Sequence, residues 1–465
     1  MKVVILGAGI TGLAAAVNLL TGGHDITLLE KNDRVGGLAA TLNWKNHVLD
    51  YGAFICYPQL KALLPEPVNN AMDWRTVSQM SAQIYLDQGL VDWPFTPSDI
   101  YRRLGLMGSA AAFLDMMTAG WKPYRRGKSE NARDFIIKKI GKRLMRYSHI
   151  EEEILKLTGH PGCQLSPQFV IDHLFRFAQI SPKHLILNRF RRIKAPSLIH
   201  YPEYPRGGIS CIPFELEKFL TSKGVKTRKS VTIHRIIGSG KWVNEVIFSQ
   251  DGVKQRLNAD FIISTIPLTR TLQLLGKDKP ALTGKIPFRH MLLLYLLVRK
   301  PSVTGRQLTY AFSERIPFKR LVEFKHYDDR GIPPEQTGIA AEICYTHKEE
   351  IQDKPGIYSR VIGNLREMGL MEEEDIIDHC YRISHYAYPV EALGYEKARE
   401  EILEEITFDN MISCGRQGIS RYCQMPFAYK MGTAAAAHIN DRIFNKDRHL
   451  ELCYDFSYRK NISGE

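Results

Sequence analysis

The chain opens on an apolar run, Val3 to Leu6, then a glycine-rich turn, a small-residue helical pattern over residues 11–22 and a second apolar run over 25–30. Run, helix-period segment, run is the pattern of a buried parallel βαβ unit. Beyond residue 60 the spacing becomes mostly helical, over 98–119, 130–158 and 167–179, apart from a hairpin near 75–93. A turn at Tyr204–Gly208 opens a helix over 212–223, and short strands follow around 225–248 and 259–266. Residues 290–345 alternate as a sheet does, most clearly at 291–298 and 338–345. Helices are expected at 357–369 and 374–379, a strand near 410–414 and a last helix over 429–445. The polar tail from Asn445 is expected to fray. This order predicts an α/β chain in which one parallel-sheet domain is assembled from separated pieces.

Composition narrows the class. A chain of 465 residues carries two or three domains and can bury a large core unaided. Its eight cysteines form no CxxC pair, which argues for a reducing compartment and against a disulfide framework or a metal site. With the glycines described below, the basic-then-apolar start reads as a strand rather than a signal peptide, so a cytoplasmic location is expected. No apolar run reaches the roughly 20 residues a membrane span needs. The nearest, Gly105 to Trp121, contains Asp115 and reads as a buried helix.

The net charge is +13. Basic residues gather at Lys122, Arg125, Arg126 and Lys128, at Lys138, Lys139, Lys142, Arg143 and Arg146, and at Arg189, Arg191, Arg192 and Lys194. No nucleic-acid motif accompanies them. The partners expected are therefore an anionic small molecule and, through the basic patches, a peripheral membrane surface. Nothing in the sequence fixes an oligomeric state.

The candidate chemistry starts at Gly7-Ala8-Gly9-Ile10-Thr11-Gly12, between the first strand and the first helix. Gly7 permits the tight turn, Gly9 lets a pyrophosphate approach the backbone, and Gly12 lets helix and sheet pack closely. The helix N-terminus supplies N–H donors to the pyrophosphate. Glu30, with Lys31 after it, ends the second strand where a carboxylate accepts from ribose hydroxyls. A second glycine pair follows in Arg34-Val35-Gly36-Gly37-Leu38, which a simple NAD domain does not need. The expected cofactor is FAD.

With these motifs the sequence resembles the large FAD family that holds amine oxidases, protoporphyrinogen oxidases, carotenoid desaturases and UDP-galactopyranose mutases. The stretch Asp50-Tyr51-Gly52-Ala53-Phe54 is similar to the motif whose backbone lines the isoalloxazine ring in that family. Cys414-Gly415-Arg416-Gln417-Gly418, Met425 and Gly432-Thr433-Ala434-Ala435 resemble its closing motif, and Val231 matches the strand that meets the adenine. The resemblance implies a discontinuous Rossmann-like FAD-binding domain from residues 1–60, 205–272 and 405–445. It places a mostly helical lobe at 61–204 and a mixed-sheet, substrate-binding α+β domain at 273–404. Non-enzymatic relatives of this fold, the GDP dissociation inhibitors, lose the glycine pattern that is intact here.

Two stretches bear on the branch. Arg320-Leu321-Val322-Glu323-Phe324-Lys325-His326-Tyr327 is similar to the mutases' Arg-x-x-Glu-x-Lys-His-aromatic segment, whose arginine meets the substrate diphosphate. Its plainer reading is a salt bridge from Arg320 to Glu323 or a neighbour. Ile419 to Pro426 departs from the mutases' tyrosine-rich, doubly acidic segment and keeps only Tyr422 of the aromatic pair. Arg320, His326 and Tyr422 are the candidate catalytic residues, with His385 as another candidate base. Tyr310, Tyr345 and Tyr388 are candidate pocket residues, Cys423 a thiol near the flavin edge, and Arg189 or Arg191 a second diphosphate contact. The expected reaction is oxidation of an anionic small molecule, such as a nucleotide-linked sugar, by hydride transfer to flavin N5. The alternative is a non-redox sugar mutase that uses reduced flavin.

Overall fold

A computed structural model describes residues 1–54, 58–77, 81–86, 89–93, 97–120, 130–174 and 203–458. The basic groups at 122–128 and 189–194, with Arg189 and Arg191, lie outside the described residues.

The first apolar run forms the strand Lys2–Leu6, buried from Val3 on, at the centre of a five-stranded parallel sheet. Across that sheet run Met411–Ser413, Phe261–Ser264, Lys2–Leu6, Asp25–Leu29 and Lys226–Arg228. Three distant parts of the sequence therefore meet in one sheet. Helix Ile10–Leu19 buries its alanine face on it, and helix Met425–Asn440 packs against that helix. A three-stranded antiparallel meander, Val231–Ser239, Trp242–Gln250 and Val253–Asn258, lies beside it.

The second sheet has seven strands in the order Ile376–Pro389, Phe288–Val298, Thr337–Tyr345, Arg320–Glu323, Leu308–Ala311, Ala82–Leu86 and Gly89–Trp93. Its pairs are antiparallel except Leu308–Ala311 with Ala82–Leu86. The unbroken apolar strand Phe288–Val298 is sorted by parity. Met291, Leu293, Tyr295 and Leu297 join the core shared with the nucleotide-type domain. Leu292, Leu294, Leu296 and Val298 pack under helix Lys354–Glu367, through Ile357, Val361 and Leu365. Both faces are covered, so the strand needs no polar alternation. Helices Pro97–Gly120, Ala132–Tyr147, Ile150–Thr158 and Pro167–His173 build the lobe at the end where the hairpin lies.

Four sequence expectations are corrected. The stretch from Gly105, expected to be a buried helix, is helical but exposes Leu106, Met107, Phe113 and Leu114 while Ala112 and Met116 are buried. The single helix expected over 130–158 is interrupted twice, by Gly141 at φ +79° within Ala132–Tyr147 and by His149, which takes a left-handed conformation before Ile150–Thr158. Residues 374–379 do not form a helix. The acidic run closes a short 3₁₀ turn, Glu373–Asp375, capped by Glu372 and Asp375, and Ile376 then starts a fourteen-residue strand along Phe288–Val298. The tail beyond Asn445 is helical over Lys446–Tyr458, with His449, Leu450 and Cys453 buried against the core.

Asp50 ties the site-forming loops together. Its buried carboxylate accepts from Tyr204 Oη at 2.5 Å, Thr41 Oγ1 at 2.7 Å and the Ile209 N–H at 3.0 Å. Burial outweighs these donors and lifts its pKa to about 6, above the roughly 3.9 of an unfolded aspartate. A carboxyl with a raised folded pKa binds its proton more tightly in the native state. Its contribution to stability is complete below about pH 4 and is lost as pH rises through about 6. Replacing it by Asp50→Asn removes that slope. The stability gap between variant and wild type should therefore shift by about 2 kcal/mol in the variant's favour between pH 4 and pH 7. Urea unfolding at both pH values reads the shift; a gap independent of pH would mean that Asp50 titrates as an ordinary carboxyl.

Candidate active site

The glycine loop forms a cradle at the head of helix Ile10–Leu19. Gly9 is its N-cap, with an ordinary φ of −73°, and a Cβ added there would meet nothing within 4 Å. The space above Gly9 is open to a ligand. Gly12 is different: a Cβ there would lie 2.1 Å from the Gly7 carbonyl oxygen, so its small size serves packing. The second glycine pair is bonded to the first loop, with the Gly36 N–H donating to the Ala8 carbonyl at 2.8 Å. Glu30 holds both loops in shape. Its Oε2 accepts from the Ala8 N–H at 2.8 Å and its Oε1 from the Asn32 N–H at 2.9 Å. Oε1 also accepts from Asn32 Nδ2 at 2.8 Å, so Oε2 is the oxygen that retains a lone pair for a hydroxyl donor. The Val231 N–H donates to the Glu30 carbonyl at 3.0 Å, which starts the meander beside this edge. Arg34 donates to the Gly37 carbonyl and lies over the Tyr51 ring, 5.1 Å from its centroid. Lys31 is exposed.

A cavity of about 440 Å³ runs from this cradle to the seven-stranded sheet. Of the residues expected from sequence, Gly9, Ile10, Thr11, Gly36, Gly37, Leu38, Tyr51, Gly52, Ala53, Arg416 and Met425 line it, with Arg320 and Tyr422. Gly7, Gly12, Glu30, Lys31, Arg34, Val231, Gly415 and Gly432 do not. Gly415 and Gly432 instead meet Thr11, where an added Cβ would collide with its side chain or its carbonyl. Their role is to let the closing segment press against the first helix. The fit to FAD rests on an open pyrophosphate cradle that continues into a deep cavity.

The far wall of the cavity is charged. Arg320 lies opposite Glu342 in the strand register and pairs with it bidentately, Nε to Oε2 at 3.0 Å and Nη2 to Oε1 at 2.9 Å. Glu323, one of the partners the sequence offered, points to the other face, because positions three apart on a strand diverge. Glu323 is buried there between Thr304 and Thr337. His326, 3.5 Å from the Glu323 carboxylate, goes with it and does not line the cavity. Lys325 donates to the carbonyls of Pro333, Pro334 and Gln336. The stretch that suggested a diphosphate site thus sends one side chain, Arg320, into the cavity.

Glu342 also accepts from the Ala53 N–H at 2.9 Å, which fixes the cationic wall to the loop expected beside the flavin ring. Lys319 is 3.4 Å from Glu342 and donates to Tyr388 Oη at 3.0 Å. Burial opposes the Lys319 charge, but Tyr388 and Glu342 more than offset it and hold the ammonium above its usual pKa. Burial likewise opposes the Glu342 charge, and Arg320 and Lys319 prevail, leaving its pKa lowered. Arg416 lies over the Tyr422 and Tyr388 rings at 4.3 and 5.3 Å and donates to the Ala387 carbonyl. Tyr422 stacks on His173 at 4.1 Å.

Three residues of this wall escaped the sequence reading. Glu342 interrupts the apolar strand GIAAEICY, and a lone charge in a buried run was a usable signal. Lys319 had none beyond its position before Arg320. Glu153 stands in an acidic triplet, but it falls on the helix face of Ile150, Ile154 and Leu157. It lines the cavity, is 6% exposed, and its Oε2 is buried without a hydrogen-bond partner. Burial raises its pKa to about 7 against the pull of Lys319, Lys156 and Arg320. Lys156 Nζ is turned instead to the carbonyls of Ala311 and Phe318. Of the other sequence candidates, Tyr310, Tyr388 and Cys423 line the cavity, while Tyr345 and His385 do not. Burial lowers the His385 pKa, and its ring packs edge-on against His290.

A dinucleotide cradle, a flavin-type loop and a charged pocket on one cavity define an FAD-dependent oxidoreductase fold. The profile of the family described as flavin containing amine oxidoreductase matches residues 10–440, and the chain belongs to that family. Its cofactor is FAD. Among curated proteins it is 24% identical over 285 residues to 4,4'-diapolycopen-4-al dehydrogenase of Metabacillus indicus, covering 56% of each chain. It is 30% identical over 133 residues to 4,4'-diapophytoene desaturase of Staphylococcus aureus strain MRSA252, covering 27% of this chain and 26% of the relative. The match thus spans about half of the first relative and a quarter of the second. Among solved structures, reduced UDP-galactopyranose mutase superimposes with a TM-score of 0.80 at 19% identity over 98% of both chains. A putative protoporphyrinogen oxidase from Exiguobacterium sp. 255-15 gives 0.72 at 16%, over 95% of this chain and 99% of the other. At these identities the solved structures establish the fold.

Proposed function

We propose that this enzyme oxidises an anionic small molecule, with Glu153 as the group that takes the substrate proton. The observation that carries the reading is the placement of Lys319, Arg320, Arg416 and Glu153, whose buried Oε2 has no hydrogen-bond partner, on one cavity with the flavin-type loop. FAD, when bound, supplies the hydride acceptor. The chain's own residues do the rest. Glu342 neutralises one of the three cations, so the wall keeps a net positive charge that favours an anion. Tyr310, Tyr388 and Tyr422 line the same space and lower its polarity, which strengthens each of these interactions. Glu153, poised near neutrality, exchanges a proton with a substrate hydroxyl or amine.

A second reading is a flavin-dependent rearrangement of a nucleotide-linked sugar without net oxidation. Arg320 at the cavity favours it; the diversion of Glu323, Lys325 and His326 to structural roles weighs against it. Anaerobic visible spectra with a panel of nucleotide sugars, hydroxy acids and amino acids separate the two. Bleaching of the flavin band by an anionic compound is the expected result. A persistent band, with an isomer formed only after prior reduction, would establish the second reading.

A further inference from the structure

Helix Pro97–Gly120 is apolar on two opposite sides. Gly105, at φ +67°, breaks its start, so the regular part begins at Leu106. Ala112 and Met116 face the core. Leu106, Met107, Ala110, Phe113 and Leu114 fall within about 120° of arc on the other side, at roughly 100° per residue. Leu106, Met107 and Leu114 are 73%, 85% and 64% exposed. Of the eleven exposed large apolar side chains among the described residues, five lie between Tyr101 and Leu114. Apolar surface this concentrated marks an interaction site.

Charge identifies the occupant. The Arg143 N–H donates to Asp115 Oδ2 at 2.8 Å, which sets Lys142 and Arg143 beside the turn that carries Phe113 and Leu114. Both are exposed, as are Arg146 in the same helix and Arg102 one turn before Leu106. Two copies meeting through this face about a twofold axis would set these cations against one another. Anionic headgroups complement them. We propose that this face docks on an anionic membrane surface, with Leu106, Met107, Phe113 and Leu114 entering the interface and Arg102, Lys142, Arg143 and Arg146 at the headgroups. Among the described residues no helix is long and apolar enough to cross a membrane, so the contact is peripheral. Helix Ala132–Tyr147, which carries three of these cations, packs on Pro97–Gly120 and leads into the helix that bears Glu153.

The test is co-sedimentation of the full, flavin-loaded chain with vesicles of phosphatidylcholine alone and of phosphatidylcholine with phosphatidylglycerol. Binding to the mixed vesicles, weakened by salt, is expected. Leu106→Glu with Met107→Glu should cut partitioning more than about tenfold. Lys142→Glu with Arg143→Glu should cut it by about 25-fold or more, at roughly fivefold per cation removed. Val253→Glu, at an exposed apolar residue on the distant meander, should bind as wild type does. The flavin spectrum reports folding in each case, and Met107→Ser alone, at the most exposed position, serves if the double variant is unstable. Absence of binding to anionic vesicles, or equal loss in Val253→Glu, overturns the proposal. So does a lipid-free dimer abolished by Leu106→Glu with Met107→Glu, which would give the face to a second copy.

Discussion

Gly9→Asp is expected to yield a folded protein that has lost FAD, with affinity lower by about a thousandfold. The substitution adds one carboxylate at the place where a pyrophosphate meets the helix N-terminus. Two unit charges about 4 Å apart repel by about 4 kcal/mol in a protein-surface environment, which sets the factor. The fold should not suffer. Gly9 has a φ open to any residue, its Cβ direction is empty, and it occupies the N-cap of helix Ile10–Leu19, where aspartate is a favoured residue. The apo forms of variant and wild type should therefore unfold within about 1 kcal/mol of each other. Gly12→Ala supplies the contrast: its Cβ would lie 2.1 Å from the Gly7 carbonyl, so the loop itself must move. Equilibrium dialysis against FAD, with circular dichroism of the apo proteins, checks both. Undiminished binding by Gly9→Asp would place the pyrophosphate elsewhere.

What was legible in the sequence follows the range of the interactions concerned. The glycines at 7, 9, 12, 36 and 37 act through backbone geometry within a few residues, and their pattern gives the cradle directly. The apolar strands 291–298 and 338–345 stand out because burial on both faces leaves no other pattern. Arg320 is visible as a cation, but its partner is set by strand register, which brings Glu342 opposite it from 22 residues away. The same register sends Glu323 to the other face, and His326 follows it from the 3₁₀ turn Phe324–His326, so local proximity misled. Residues 374–379 misled for a related reason. Glu374, Asp375 and Asp378 suggest the acidic first turn of a helix, yet the long pairing with Phe288–Val298 outweighs them. The tail helix was hidden because its charged and polar residues, seven of thirteen, mask the apolar ones. It is held by buried positions, Cys453 and His449 among them, that only the finished core defines.

Glu153→Gln should lower kcat by about a hundred- to ten-thousandfold, the range for loss of a positioned acid–base group. In the wild type, a substrate that must surrender a proton is oxidised faster as pH rises through the Glu153 pKa, near 7 in the free enzyme. That rising limb should vanish in the variant. An anion bound beside Glu153 disfavours its ionised form, so the limb in kcat should lie above the limb in kcat/KM. Glutamine matches the protonated carboxyl in shape and charge, so FAD affinity and stability near pH 6 should be preserved. A purely structural Glu153 predicts the reverse. Its loss would disturb Lys156, which lies one turn away and is itself lowered to about 8 by burial. The thermal midpoint would then fall while the pH limb of kcat/KM stayed in place. The two roles thus move different observables, and a pH profile of the variant beside its melting curve decides between them.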